Sequence, residues 1–557
     1  MSRQVDYGPV IAHSAIVDPG LTSTPIGIFD PTAIKSPKST KQINASPYKQ
    51  QWLESDAKEL QAIEDRGVWE HARILTSGVK PLGTIMVRKV KINHDGTLDK
   101  FKSRLTARGD QEDVRDEPTF APVASRIAIR ALLACAVFLG LLLFQYDVAT
   151  AFLYAKLNNS HTYVYYPEGY PNRRPGHCLR LKRALYGLRS SPRAWWVTIH
   201  AVLKTLGFCA SPGDPCFYVF RGSVLGSTVV ILLALFVDDL AVACQDPATA
   251  AWFRDELRKH FEVEDRSPME WLLGMRITAT KGLIRADQTM YIDQCLAKFL
   301  PGPASKTPLP GDFRKQVQRE WPELSDKLQQ EYASLVGSLM YVANATRPDI
   351  AYAAHALGSR MRNPDQYMLR VARRVLRYLR GTRLQGITWT ATPGNDRKEA
   401  LDLIGYCDSD WAGDLKTRKS TSGCVVRLGG GPIAWRVQRQ RCVSLSTCEA
   451  EYVAICLAAK TCVGAHNIVK ILAAVGHPVR DTVKIYSDND AAIVTGSTVR
   501  QNNSSRHIEL RYHYVRDCVK RGRIQLARIG GAYNPADLLT KPATLDAVNR
   551  LLKQLLG

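Results

Sequence analysis

Apolar and polar positions change period several times along the chain, and each change marks an element. Through residues 1–47 no period persists, and Ser, Thr and Pro surround single apolar residues, which predicts a disordered leader. Apolar positions at Trp52, Leu60, Ile63, Val68 and Trp69 then predict an amphipathic helix. Residues 83–91 alternate as a strand does and run into a turn at Asn93-His94-Asp95-Gly96. A basic arm follows: Lys100, Lys102, Arg104 and Arg108. The longest uncharged apolar run, 131–144, is too short to span a bilayer and reads as a core helix leading into a strand at 142–148. A second apolar run, 229–237, predicts a buried strand, and it closes on Asp238-Asp239.

Pro301, Pro303, Pro308 and Pro310 crowd a stretch that reads as a linker. Helical periodicity resumes over 332–344, 349–362 and 366–380, the last with Arg370, Arg373, Arg374, Arg377 and Arg380. From Leu401 strands and helices mix to the end: strands near 405–410, 421–436, 483–486 and 524–529, with helices opening at Ser446, Asp490 and Asn534. At 557 residues the chain exceeds what one core fills, so two or three domains are expected.

Charge narrows the function. Lys and Arg number 75 against 52 Asp and Glu, a formal net charge of +23, which points to a polyanionic partner. Thirteen cysteines form no CxxC pair, so neither a zinc cluster nor a disulfide framework is predicted, and a reducing intracellular compartment fits. No basic start followed by an apolar stretch marks a secretory signal.

Carboxylates supply the candidate chemistry. Asp147 closes one predicted strand and Asp238-Asp239 another; buried carboxylates need partners, and hard divalent cations take oxygen ligands. Two such ions can clamp the attacking and leaving oxygens of a phosphoryl displacement. Between these strands, LKRALYGLRSSPRAWW interleaves basic and aromatic residues, suited to phosphate contact and base stacking. In the last third, Asp408 lies on a strand, Glu449 and Glu451 open a helix, Asp488 ends a strand and Asp537 starts a helix. Glu449 and Glu451 point about 200° apart on a helix, so only one can face a site, and Glu451 is the choice.

The order DVATAFL, LKRALYGLRSSPRAWW, FVDDL resembles the reverse transcriptase of copia-type LTR retrotransposons. The likeness continues through WLESDAKELQAIEDRGVWE, KFKSRLTARGDQ, YASLVGSLMYVANATRPDIAYAAHALGSRMRNP and RRVLRYLRGT, while RKSTSG, RHIELRYHYVRD and NPADLLTKP resemble the RNase H domain of the same elements. The resemblance implies an α+β / α/β multidomain fold: a right-hand polymerase with fingers and palm over 48–300, linker, thumb and connection helices over 301–395, and an RNase H-like domain over 396–557.

It also implies roles. Asp147, Asp238 and Asp239 would be the palm carboxylates, with Asp239 supportive; Lys102 and Arg104 would hold the triphosphate of an incoming dNTP, and Phe152 would lie under its sugar. Asp408, Glu451, Asp488 and Asp537 would form a DEDD-like set for hybrid cleavage. Two Mg2+ ions per site are implied, with Mn2+ as a substitute. RNA template, DNA primer, RNA–DNA hybrid and other segments of a parent polyprotein would be partners, with no membrane. Location would be intracellular, in a cytoplasmic virus-like particle with the nucleus as a further site. His507 and His513 read as packing histidines. Phe236 where Tyr is commoner, Tyr154-Ala155-Lys156 after the first motif, and Ser190 depart from the family pattern and leave room for a decayed, nucleic-acid-binding relic. Without an Asp-Thr-Gly or Asp-Ser-Gly protease signature, the chain is expected to be the polymerase end of such a polyprotein.

Overall fold

A computed structural model of the chain describes residues 34–74, 80–92, 97–113, 118–157, 161–391, 401–497 and 509–557, the side chains of 509–512 excepted. The turn expected at 93–96 and His507 fall outside them. The fold is mixed α and β, with five sheets among the described residues. The chain divides into two compact units, Met1–Glu112 with Ser160–Leu188 and Asp113–Asn159 with Arg189–Gly557.

In the first unit the helix Lys49–Asp65 packs on a long hairpin, Thr84–Ile92 with Leu98–Ala107. Trp52 is buried edge-on against Phe101, ring centroids 4.7 Å apart. Glu59 is buried in the same layer and accepts the Leu105 amide at 3.1 Å, while Arg88 grips Asp56 at 2.6 Å. The helix ends three residues before Val68, because Gly67 at φ +56° turns the chain into the strand Trp69–Arg73. Val68 and Trp69 are therefore buried by a strand start and not by a helix face. Within the stretch read as a leader, Thr40–Asn44 is helical and Ile43 is buried.

The second unit begins with a six-stranded antiparallel sheet in the order Val263–Asp265, Leu142–Val148, Asp239–Cys244, Ser227–Phe236, Asp214–Val224, Cys209–Ser211. The expected core helix is Arg126–Leu139: Ser125 caps it by accepting the Ala128 amide, and Gly140 ends it at φ +66°. It is apolar nearly all round because the sheet lies on one side and the strands Ile387–Thr390 and Gly431–Arg439 on another.

A four-stranded antiparallel sheet follows, Trp271–Leu272, Met275–Thr280, Leu283–Asp287 and Ile387–Thr390. The last two strands flank a helical module built on Asp326–Ala345, Ala351–Gly358 and Gln366–Gly381. The proline-rich stretch belongs to this module's core, since Leu309, Phe313 and Leu324 are buried in it. The arginine face of Gln366–Gly381 is partly committed to that stretch. Arg374 Nη2 donates to Thr307 Oγ1 at 2.9 Å, Arg380 Nη1 to the Gly302 carbonyl at 2.7 Å, Arg373 pairs with Glu331, and Arg370 lies 4.5 Å over Trp321.

The C-terminal part is a five-stranded mixed sheet in the order Gly431–Arg439, Thr421–Leu428, Leu403–Asp410, Val483–Ser487, Ile524–Arg528. The first three strands are antiparallel, and the last two run parallel to Leu403–Asp410 and to each other. The helix Thr447–Val469 crosses this sheet. With its extension to Val475 it is long and apolar enough to cross a membrane, and its apolarity is used against the sheet.

Candidate active sites

Sequence places Asp147 at the end of one strand and Asp238-Asp239 at the end of another, and the register brings them together. Asp239 pairs across the sheet with Asp147 on one side and with Phe236 on the other. Val237 and Asp238 are thus the two central residues of a tight turn, and the Val148 amide donates to the Asp238 carbonyl at 3.0 Å. Val237 has φ +60°, which a β-branched residue rarely adopts, so the turn carries strain that its surroundings must hold. Trp195 provides that hold: its buried indole donates Nε1 to the Val237 carbonyl at 2.7 Å and packs edge-on against Phe261. This gives the AWW segment a positioning role at the turn. Trp195→Phe is expected to cost about 1–3 kcal/mol in chemical denaturation, through an unpaired carbonyl and a cavity. An unchanged midpoint would mean that the turn holds itself.

Burial first, with Asp238, Asp239 and Glu264 adding, pushes the Asp147 carboxyl up to about 6 against the opposing pull of Arg266. Burial and Asp238 also raise Asp239. Arg266 Nη2 lies 3.1 Å from Asp147 Oδ1 and 3.0 Å from Glu264 Oε2, and Nη1 is 4.0 Å from Asp239 Oδ1. Asp239 Oδ1 is buried without a hydrogen-bond partner among the described residues. Three carboxylates sharing one half-exposed arginine leave the cluster short of positive charge, which suits a divalent cation.

Phe152 is half-buried on the short 3-10 turn Ala151–Tyr154. The departure at Tyr154 is built in, since its hydroxyl accepts the Glu262 amide at 2.7 Å and its ring packs on Phe261. Lys102 and Arg104 belong to the first unit, alternate residues on one face of the strand Leu98–Ala107, with Arg104 4.8 Å over the Tyr186 ring.

The second cluster gathers Asp408, Glu451 and Asp488, each offering an oxygen within 4.8 Å of the others. Local chemistry fixes each one. Ser446 and Glu449 form a reciprocal cap, Ser446 accepting the Glu449 amide and Glu449 the Leu445 amide at 2.8 Å, so Glu449 is consumed at the helix end. Two residues on, Glu451 turns inward, and its Oε1 accepts the Ser409 amide at 3.0 Å and hydroxyl at 3.1 Å. Its Oε2 is buried without a hydrogen-bond partner among the described residues. Burial, then Asp408 and Asp488, hold the Glu451 carboxyl up at about 9; burial lifts Asp408 to about 6 against Lys541 and Thr540.

Thr540 donates its hydroxyl to Asp408 Oδ2. Asn534 is fully buried: it donates to the Cys407 carbonyl at 2.8 Å and accepts the Ala536 amide, which pins the Asn-Pro-Ala-Asp turn beside Asp408. Asp537 stands on that turn, ion-paired with Lys541, and lies outside the tight triad. Arg314 of the helical module pairs with Asp410 at 2.6 Å. His513 is exposed on the helix Glu509–Lys520, so it is not a packing histidine. Arg266, Lys541, Arg314 and Thr540 escaped sequence reasoning; Lys541 and Thr540 stood inside NPADLLTKP, whereas Arg266 and Arg314 carried no local signal.

The family profile for "Reverse transcriptase (RNA-dependent DNA polymerase)" matches residues 68–308. The chain is 32% identical to a retrovirus-related Pol polyprotein from transposon TNT 1-94 of Nicotiana tabacum, over 94% of this chain and 39% of that protein. It is 32% identical to the corresponding polyprotein from transposon RE1 of Arabidopsis thaliana, over 89% and 33%. A putative transposon Ty5-1 protein of Saccharomyces cerevisiae is 31% identical over 55% of this chain and 97% of its own length. The chain thus spans 39% and 33% of the two plant polyproteins. Among solved structures, a foamy viral protease-reverse transcriptase in complex with an RNA/DNA hybrid aligns over 91% of this chain and 64% of its own, at 13% identity and a TM-score of 0.44.

Proposed function

The chain belongs to the Pol polyproteins of copia-type retrotransposons, and on that premise we propose that it is an RNA-directed DNA polymerase joined to a ribonuclease that cuts RNA in RNA–DNA hybrids. The observation that carries this reading is the pair of separate carboxylate clusters, one at strand ends and one drawn from two strands and a helix, each with carboxyls lifted by burial and by one another. Although Arg266 and Lys541 stand beside the two clusters, Asp239 Oδ1 and Glu451 Oε2 are buried without hydrogen-bond partners among the described residues.

In the polymerase, Asp147, Asp238 and Asp239 would hold the divalent ions, Mg2+ or Mn2+; in the ribonuclease, Asp408, Glu451 and Asp488 would, with Asp537 joining from the rim. Ions bound there polarise phosphoryl oxygens and make the attacking hydroxyl or water more acidic. The protein contributes position. Trp195 sets the height of the Asp238 turn, and Ser409 aims Glu451. Phe152, five residues after Asp147 on its short turn, would lie under the sugar of an incoming dNTP. The net charge of +23 supports backbone-tracking binding of template, primer and hybrid, with affinity falling steeply as salt rises.

Extension of a DNA primer on an RNA template in Mg2+ tests the first activity. Asp238→Asn is expected to lower the rate about 10²–10⁴-fold while hybrid binding persists, since losing a metal ligand removes several kcal/mol of transition-state stabilisation. Asp488→Asn should do the same to hybrid cleavage and leave extension intact. If the wild-type chain binds hybrid and neither extends nor cuts, it is a decayed relic.

A further inference from the structure

The least expected residue at the polymerase site is Arg266. Its guanidinium occupies the side of the cluster between the Asp147 strand and the edge strand Val263–Asp265, bridging Asp147 Oδ1 at 3.1 Å and Glu264 Oε2 at 3.0 Å. The backbone holds it there, as the Arg266 amide donates to the Gln145 carbonyl at 2.9 Å, and Ser267 is tied to the same strand through its hydroxyl and the Gln145 amide. Its side chain is 46% exposed, so it can leave toward solvent without unfolding anything. A metal-binding oxygen of Asp147 and the Arg266 guanidinium compete for the same lone pairs, because an oxygen facing a guanidinium at that distance is not free to ligate a divalent ion.

We propose that Arg266 is a displaceable internal counter-ion that sets the metal threshold of the polymerase. It holds Asp147 and Asp239 together before the ions arrive, and Glu264 is the perch to which it retires when they do. Arg266 is in this sense a positioning residue, acting through Asp147 and not on the substrate. The inference rests on the polymerase reading of this carboxylate cluster.

Direct binding of Mn2+ followed by electron paramagnetic resonance tests it, in the full chain carrying Asp488→Asn so that the second cluster is weakened. Arg266→Gln is expected to tighten Mn2+ binding about two- to fivefold, the range of a half-exposed ion pair, and to lower the half-saturating Mg2+ for primer extension by the same factor. Arg266→Lys, with charge kept and the fork lost, should fall between. Glu264→Gln should weaken binding in the wild-type background, by leaving Arg266 no other partner, and have no effect in the Arg266→Gln background. Unchanged or weaker binding in Arg266→Gln overturns the proposal, as does a Glu264→Gln effect that is equal in both backgrounds; should the melting curve of Arg266→Gln show misfolding, Arg266→Lys and Glu264→Gln in the wild-type background decide the matter, and binding that is not tightened by the first or not weakened by the second overturns the proposal. Adding Asp147→Asn separates the two failures. Binding that ignores Asp147 would sink the polymerase reading itself, whereas binding that needs Asp147 and ignores Arg266 would sink only this inference.

Discussion

Arg130→Ala is expected to destabilise the second unit by about 3–5 kcal/mol, read from the midpoint of chemical denaturation, more than most substitutions at any carboxylate of either site. The reason is the company this guanidinium keeps. It is buried at 4% exposure on the core helix, and burial pushes it down to about 9, still protonated at neutral pH. Its Nη2 donates to the Ala345 carbonyl at 2.9 Å and to Asn344, its Nη1 to the Ile433 carbonyl at 3.2 Å, and its plane lies 3.8 Å over the Trp435 ring.

Trp435 in turn donates Nε1 to the Ala343 carbonyl, and the Thr346 amide serves Val342. The last four carbonyls of Asp326–Ala345, which a helix cannot satisfy internally, are therefore met largely from the core helix Arg126–Leu139 and from an edge strand of the C-terminal sheet. Truncation leaves three carbonyls unpaired. Arg130→Ala and Trp435→Phe should couple by about 1 kcal/mol or more in a double-mutant cycle. Strict additivity, or an Arg130→Ala midpoint like that of the wild type, would show that the three elements are held together elsewhere.

Glu451→Gln is expected to abolish hybrid cleavage, by about 10²–10⁴-fold, and at the same time to make the metal-free protein more resistant to alkaline pH. Glu451 is raised from an ordinary 4.5 to about 9, and Asp408 from 3.8 to about 6. Groups whose folded values are raised keep their protons in the native state while the unfolded chain has lost them. The stability they contribute is full below about 4 and is lost as pH climbs toward 6 for Asp408 and 9 for Glu451. In a chelator the wild-type melting temperature should therefore fall from pH 5 to pH 9, and Gln at 451 should flatten the slope. Mg2+ takes the ionised carboxylates, so its stabilisation should grow over the same interval, with protons released on binding. A melting temperature that rises with pH in chelator would contradict the buried, mutually repelling arrangement.

What could be read from sequence was what local pattern dictates. Asp147, Asp238, Asp408 and Asp488 were visible because each ends or follows an apolar run, and Glu451 because helical geometry forced a choice that the Ser446–Glu449 cap then explains. The sheet carrying Asp147 and Asp238 was implied by two such runs, but its register, with Asp239 opposite Asp147, was not, since pairing depends on which strands meet. The contacts that set charge balance were invisible for the same reason. Arg130 reaches carbonyls more than two hundred residues away, and no periodicity encodes such a meeting. The arginines of Gln366–Gly381 showed the converse, a face correctly seen whose covering, residues 302–307, could not be.

The pairing of Leu283–Asp287 with Ile387–Thr390 has one more implication. It brings the entrance and the exit of the helical module side by side, Ala286 opposite Ile387, so residues 288–386 form an excursion that starts and finishes at one doorway. An excursion of that kind can gain or lose a turn without altering the spacing of the strands that bracket it.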